Sequence, residues 1–183
     1  MRQLGYNQAM TKYVALLRGI GPSNPNMHGS KLVAAIKAAG FKNPQSLLAS
    51  GNVIFESTDT DQAKIEAKLE RIWPKELGFN SMTIVRSQSQ LQALVDADPY
   101  KGAQHSNQKT YLLVTFFKTP PPSPTTANYQ TKLGVNAICN SLDNSGANPD
   151  TPKFMAQLDK QYGKDQITSR TWLTIQRILK KMA

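Results

Sequence analysis

Apolar residues in this chain come in short blocks separated by glycine- and proline-rich breaks. The run Tyr-Val-Ala-Leu-Leu at 13–17 predicts a first strand buried on both faces. It is followed by Arg18-Gly19-Ile20-Gly21-Pro22-Ser23-Asn24-Pro25-Asn26-Met27, whose two glycines and two prolines continue neither strand nor helix. Ser30 is placed to cap a helix carrying Leu32, Val33, Ile36 and Ala39 on one face, with Gly40 as its stop. Residues 46–56 are strand-like but interrupted at Ser50-Gly51-Asn52, either a bulge in one strand or a tight turn between two. Ile65, Leu69, Ile72 and Trp73 then recur at helical spacing across 61–77, and Pro74 and Gly78 mark the end.

A short strand is predicted at 82–85, and Ser89 is placed to cap a helix bearing Leu91, Leu94 and Val95 that stops near Asp98-Pro99. Residues 111–117 form the clearest strand pattern. The Thr-Pro-Pro-Pro-Ser-Pro run at 119–124 ends it and reads as a stiff surface loop rather than a proline-motif ligand. Between 125 and 150 the pattern predicts only a short helix near Tyr129 and a strand at 135–138. Pro152 opens a helix with Phe154, Met155 and Leu158 inward and Gly163 at its end, and Thr168 or Ser169 opens a final helix to Met182.

If Ser50-Gly51-Asn52 is a turn, residues 13–86 read β-α-β-β-α-β. That is the split βαβ, ferredoxin-like order, with an antiparallel sheet and helices on one face. The expected class is therefore α+β: a ferredoxin-like N-terminal half, a second, smaller α/β half and C-terminal helices. The alternative is an α/β protein with a mainly parallel sheet. Residues 1–10 read as a disordered leader and 11–183 as one compact domain, with a division into halves 11–87 and 88–183 left open. No close sequence repeat links the halves.

Composition narrows the function classes. At 183 residues and 39% hydrophobic the chain can build a packed core. Its apolar runs fall far short of the roughly 20 residues a membrane-spanning helix needs. No apolar stretch precedes Val14, unlike a secretory signal. Cys139 is the only cysteine, so no internal disulfide forms, and a reducing, cytoplasmic setting is expected. His28 and His105 do not combine with it at metal-ligand spacing, and neither metal nor cofactor is expected. A net charge of +10, from 22 Lys+Arg against 12 Asp+Glu, attracts phosphate-bearing partners.

Three constellations carry candidate chemistry. The Arg18 loop joins a strand to a helix, where backbone N–H groups hold anions. Yet Asn24 stands where a dinucleotide fingerprint wants glycine, and a Walker Gly-Lys-Ser/Thr is missing. Ser50-Gly51-Asn52 sets a hydroxyl and an amide into an apolar stretch without forming a nucleophile elbow. On the final helix Arg170, Thr174, Arg177 and Lys181 share one side, with Lys180 beside them, opposite Trp172, Ile175, Leu179 and Met182. That stripe suits a phosphate backbone, although cations also favour a helix C-terminus. Glu56, Asp59 and Asp61 cluster where capping is the simplest role.

These blocks also carry a resemblance. Residues 12–27 (Lys-Tyr-Val-Ala-Leu-Leu-Arg-Gly-Ile-Gly-Pro-Ser-Asn-Pro-Asn-Met) resemble the opening signature of a bacterial family, domain of unknown function 1697. Leu-Ala-Ser-Gly-Asn-Val-Ile-Phe-Glu at 48–56, Ile-Val-Arg-Ser at 84–87, Tyr-Leu-Leu-Val-Thr-Phe at 111–116, Ile-Thr-Ser-Arg-Thr-Trp at 167–172 and the tail at 177–182 resemble its later segments. The wider family more often has Asn-Val-Gly-Gly after Arg-Gly-Ile, so residues 21–26 mark a subgroup. The resemblance implies a compact α+β protein and supplies no catalytic residues. Arg18, Asn24, Ser50, Asn52, Arg86 and Arg170 are the polar members of its apolar signatures.

Together these readings set the expectation: a binding protein for a phosphorylated or other anionic ligand, with nucleic acid among the options. Arg18, Asn24, Ser50, Asn52 and Arg170 are expected to line one cleft, and Arg177, Lys180 and Lys181 to form a basic stripe. The alternative is an enzyme on a small anionic substrate, with Arg18 and Arg170 as clamps. A monomer without membrane attachment is favoured.

Overall fold

The computed structural model describes residues 9–19, 23–48, 51–120, 129–130, 134–146 and 151–183. Strand β1 (Thr11–Leu17) leads through a single-turn helix (Pro25–Met27) into α1 (Gly29–Ala38), β2 (Lys42–Leu47), β3 (Asn52–Ser57), α2 (Gln62–Leu77), β4 (Thr83–Ser87) and α3 (Gln88–Asp96). Then follow β5 (Thr110–Phe117), β6 (Tyr129–Gln130), β7 (Ala137–Asp143), α4 (Thr151–Tyr162), β8 (Ile167–Thr171) and α5 (Trp172–Met182). Every strand pairing is antiparallel, in two sheets ordered β2-β3-β1-β4 and β6-β7-β5-β8. The α+β class and the ferredoxin-like first half hold, and the parallel alternative falls. The break at Gly51 is a hairpin turn. Gly51 has φ +68°, and a Cβ there would lie 3.0 Å from the Leu17 Cβ and 3.1 Å from the Met27 Cε, so a side chain would strain both the backbone and its neighbours.

The two sheets have the same strand order, offset by four strands. β1 pairs Val14 with Arg86 of β4, and β5 pairs Val114 with Arg170 of β8. Each arginine is followed by a hydroxyl residue that caps the next helix: Ser87 accepts from the Gln90 N–H, and Thr171 from the Thr174 N–H. The second half thus repeats the first, α5 standing for α3 and α4 for α2. Among the described residues no helix joins β5 to β6, where α1 stands in the first half.

Alternate residues of each central strand face opposite cores. Val14 and Leu16 on β1, and Leu112, Val114 and Phe116 on β5, share one cluster with Leu91 and Leu94 of α3 and with Trp172, Ile175, Leu179 and Met182 of α5. The outer face of the first sheet (Tyr13, Ala15, Leu17, Phe55) packs on α1 and α2 through Leu32, Ile36, Leu69 and Trp73. The outer face of the second packs Leu113, Phe117 and Ile138 on Leu158 of α4.

Several local expectations are corrected. Residues 167–171 are strand β8, so Arg170 does not open the last helix, which begins at Trp172. Tyr129 lies in a two-residue strand rather than a helix. The strand expected at 135–138 begins at Ala137. α3 is capped by Ser87, not Ser89, because Gln90 completes a capping box with Ser87. His28, not Ser30, occupies the first cap position of α1 and makes no side-chain cap bond.

Candidate functional site

Arg18, Asn52 and Arg170 do come together, at the seam between the halves. Burial on the inner face of β8 drives Arg170 to satisfy its guanidinium within the protein. All five of its N–H donors are used: Nε donates to Asn52 Oδ1 at 2.6 Å, Nη1 to Thr168 Oγ1 and the Ser169 carbonyl, and Nη2 to the Leu17 and Gly51 carbonyls. No carboxylate takes part, and burial first, then the charge of Arg18, brings its pKa down to about 10. The Asn52 amide turns back to the Leu47 carbonyl. Arg18 pairs with Asp159 of α4 and donates to the Ile167 carbonyl. Asn24 caps the single-turn helix by accepting from the Asn26 N–H. Ser50 lies outside the described residues.

The repeated half builds the same node in reverse. Arg86, buried on β4, donates to the Val135 and Phe117 carbonyls of the other half and lies 3.8 Å from Glu66. Lys118, following β5 as Arg18 follows β1, pairs with Glu70 of α2. Two arginines and two ion pairs therefore lace the halves together reciprocally. Beside this seam is a cavity of about 440 Å³ between residues 80–82 ahead of β4 and Asp165 and Gln166 ahead of β8, walled by the Lys118–Glu70 pair. None of its lining residues is Arg18, Asn52 or Arg170.

Exposed cations gather elsewhere. α2 carries Lys64, Lys68, Arg71 and Lys75, all exposed. At 3.6 residues per turn they fall within an arc of about 60°. Leu69, Trp73 and Ile65 bury the opposite side; of its three carboxylates Glu66 and Glu70 point to Val85 and Lys118, and Glu76 is exposed. Asp61 caps the helix start, and Gly78, at φ +72°, ends it. Three of the cations, Lys64, Lys68 and Arg71, rim a concavity of about 310 Å³ whose other walls are Gly40-Phe41 and Ser57-Thr58-Asp59. Lys68 Nζ sits 5.0 Å above the Phe41 ring. Asp59 pairs with Lys64 at 3.3 Å, its pKa lowered first by the Asp61 N–H bond. Neither Lys68 nor Arg71 has a carboxylate partner among the described residues.

On α5, Arg177, Lys180 and Lys181 are exposed, opposite the buried Trp172, Ile175, Leu179 and Met182. Arg170 does not join that stripe. Lys180 and Lys181 lie in the last turn, and the Lys12 ammonium donates to the terminal Met182 and Ala183 carbonyls. No concavity among the four described is lined by Arg177, Lys180 or Lys181.

With this geometry in hand, the known proteins place the chain. A family model described as Protein of unknown function (DUF1697) matches residues 10–137. The chain belongs to that family. This DUF1697 chain is also similar to a solved structure, the conserved bacterial protein SP0830 from Streptococcus pneumoniae. The TM-score is 0.68 at 21% identity, over 95% of this chain and 99% of that one, which is a likeness of fold. Among curated proteins none matches significantly. Among the described residues of the DUF1697 chain no helix is long and apolar enough to cross a membrane. No group of three or more His, Cys, Asp or Glu is placed to hold a metal there.

The α2 cations escaped the sequence reading, although their signal is present. Spacings of four, three and four residues put Lys64, Lys68, Arg71 and Lys75 on one helix face, away from the apolar face that marks the helix.

Proposed function

We propose that this protein binds a phosphorylated or other anionic ligand without turning it over, and that the α2 concavity is its site. One observation carries the reading: the helix holds three successive like-charge pairs, Lys64–Lys68, Lys68–Arg71 and Arg71–Lys75, the first two of them at the rim of a hollow with one carboxylate. Each pair at such spacing costs a helix about 0.2–0.5 kcal/mol. Only Lys75 lies in the last turn, where the helix dipole favours a cation. An anion in the hollow converts that repulsion into attraction, with Lys68 and Arg71 as donors and Thr58 at the wall.

The clamp role considered for Arg170 has no support in its hydrogen bonding, because all five donors are committed to the protein. In this reading the protein is cytoplasmic and monomeric, where phosphorylated metabolites and nucleic acids are at hand. Thermal melting in rising inorganic phosphate tests it. At about tenfold the dissociation constant, mass action adds about 1.4 kcal/mol, or about 3–5 °C in a chain of this size. The Lys68→Ala, Arg71→Ala double variant should melt normally without phosphate and gain nothing with it. An equal gain in that variant would place the anion elsewhere.

A further inference from the structure

The lining of the hollow on α2 differs in charge along the helix. Residues 57–59 wall it beyond the helix start, and the Asp59 carboxylate stands there, paired with Lys64. In the other direction the cations continue past the hollow to Lys75, which is not among its lining residues. Lys64 to Lys75 spans 11 residues of helix, about 16 Å at 1.5 Å per residue. A polyanion running the length of this stripe would meet the repelling Asp59 carboxylate beside Lys64, which favours a chain that ends in the hollow.

We propose that the hollow takes a terminal phosphate monoester and that Lys75 takes the next phosphate of the chain bearing it, the ligand being a phosphorylated end of a single nucleic-acid strand. This rests on the anion-binding reading of the same hollow and adds the ligand's class. A monoester carries more charge than an internal diester, and among the described residues Lys68 and Arg71 are in no ion pair, the hollow's one carboxylate, Asp59, being paired with Lys64. The step from Arg71 to Lys75 is four residues, about 6 Å along the helix, one nucleotide step of an extended strand. Phe41, the hollow's aromatic wall, lies under Lys68 and is buried, so no base stacks there. Recognition is therefore of the backbone and its end, not of sequence. A phosphopeptide offers the monoester but no regular second phosphate for Lys75.

The test is fluorescence anisotropy with a short thymidine oligonucleotide labelled at its 3′ end, prepared with a 5′ phosphate and with a 5′ hydroxyl, with thymidine 5′-monophosphate as competitor. The phosphorylated strand should bind about tenfold tighter, the worth of one charge-assisted contact. Lys68→Ala with Arg71→Ala should erase that ratio. Lys75→Ala should weaken both strands alike, keep the ratio, and lower the slope of log affinity against log salt by about 0.7. It should leave the monophosphate's own affinity unchanged. These side chains are exposed, so the variants should fold, which far-ultraviolet circular dichroism checks. Equal affinity for the two strands would overturn end recognition while leaving anion binding intact. Monophosphate binding that matches the oligonucleotide's, unaffected by Lys75→Ala, would overturn the nucleic-acid assignment. Binding of neither strand nor monophosphate would overturn this inference together with the reading beneath it.

Discussion

Replacing Arg170 by alanine tests the account of the seam between the halves. The guanidinium reaches Asn52 Oδ1 and the Leu17 and Gly51 carbonyls in the first half, and Thr168 and Ser169 in its own. Gly51 keeps the Leu17 N–H as a donor at 2.9 Å. Asn52 Oδ1 and the Leu17 carbonyl each lose a charge-assisted donor in a buried setting, at about 1–3 kcal/mol apiece. The side chain also leaves a void, while removing a charge that was costly to bury and that repels Arg18 offsets part of the loss. The net expectation is about 3–5 kcal/mol, a drop of roughly 6–20 °C in melting temperature. Arg170→Lys, with a single nitrogen in place of the fork, should fall between the two proteins. Urea unfolding followed by tryptophan fluorescence measures this, because Trp73 and Trp172 are buried in different clusters. A loss no larger than the few tenths of a kcal/mol typical of an exposed cation such as Arg177 would refute the brace.

Two further outcomes follow from the same geometry. Trp172→Ala should cost about 3–5 kcal/mol through the shared core, while Arg177→Ala stays within about 0.5 kcal/mol; equal losses in chemical denaturation would refute the assignment of faces on α5. Glu66 is buried on the inner side of α2, and burial raises its carboxyl pKa despite the Val85 N–H and Arg86. A folded-state pKa above the unfolded one makes its contribution fullest below the unfolded value, and lost as pH rises through the folded value. Glu66→Gln, which keeps an acceptor for Val85, should flatten the stability curve above the ordinary carboxylate range, and an unchanged curve in urea titrations at several pH values would contradict this.

The sequence was most legible where burial is apolar. β1, β5 and the inward faces of α2 and α5 follow directly from Tyr13–Leu17, Tyr111–Phe117, the Leu69–Trp73 spacing and the Trp172–Met182 spacing. β8 was missed because its Ile-Thr-Ser-Arg-Thr run buries Thr168 and Arg170 through hydrogen bonds, so the apolar alternation that marks a strand never appears. β2, an edge strand reading Lys-Asn-Pro-Gln-Ser-Leu, is mostly polar for a different reason: it lies at the sheet margin. The duplication was hidden because it survives in register rather than identity, in Arg86-Ser87 against Arg170-Thr171 and in Leu17 against Phe117 as acceptors. Signature arginines looked like ligand groups because polar residues in apolar motifs signal either chemistry or interior wiring, and only geometry separates the two. The α2 face was readable from spacing alone, but its concavity depends on Phe41 and Thr58, brought there by the fold.

The central claim is that the protein's anion site lies on α2, and amide chemical-shift mapping with inorganic phosphate tests it most directly. The account predicts saturable shifts confined to Gly40, Phe41, the 57–59 turn and the α2 stretch from Lys64 to Arg71, weakening as salt rises. They should vanish in the Lys68→Ala, Arg71→Ala variant. Shifts centred instead on α5 around Arg177, Lys180 and Lys181, or on the Arg18–Arg170 seam, would contradict it.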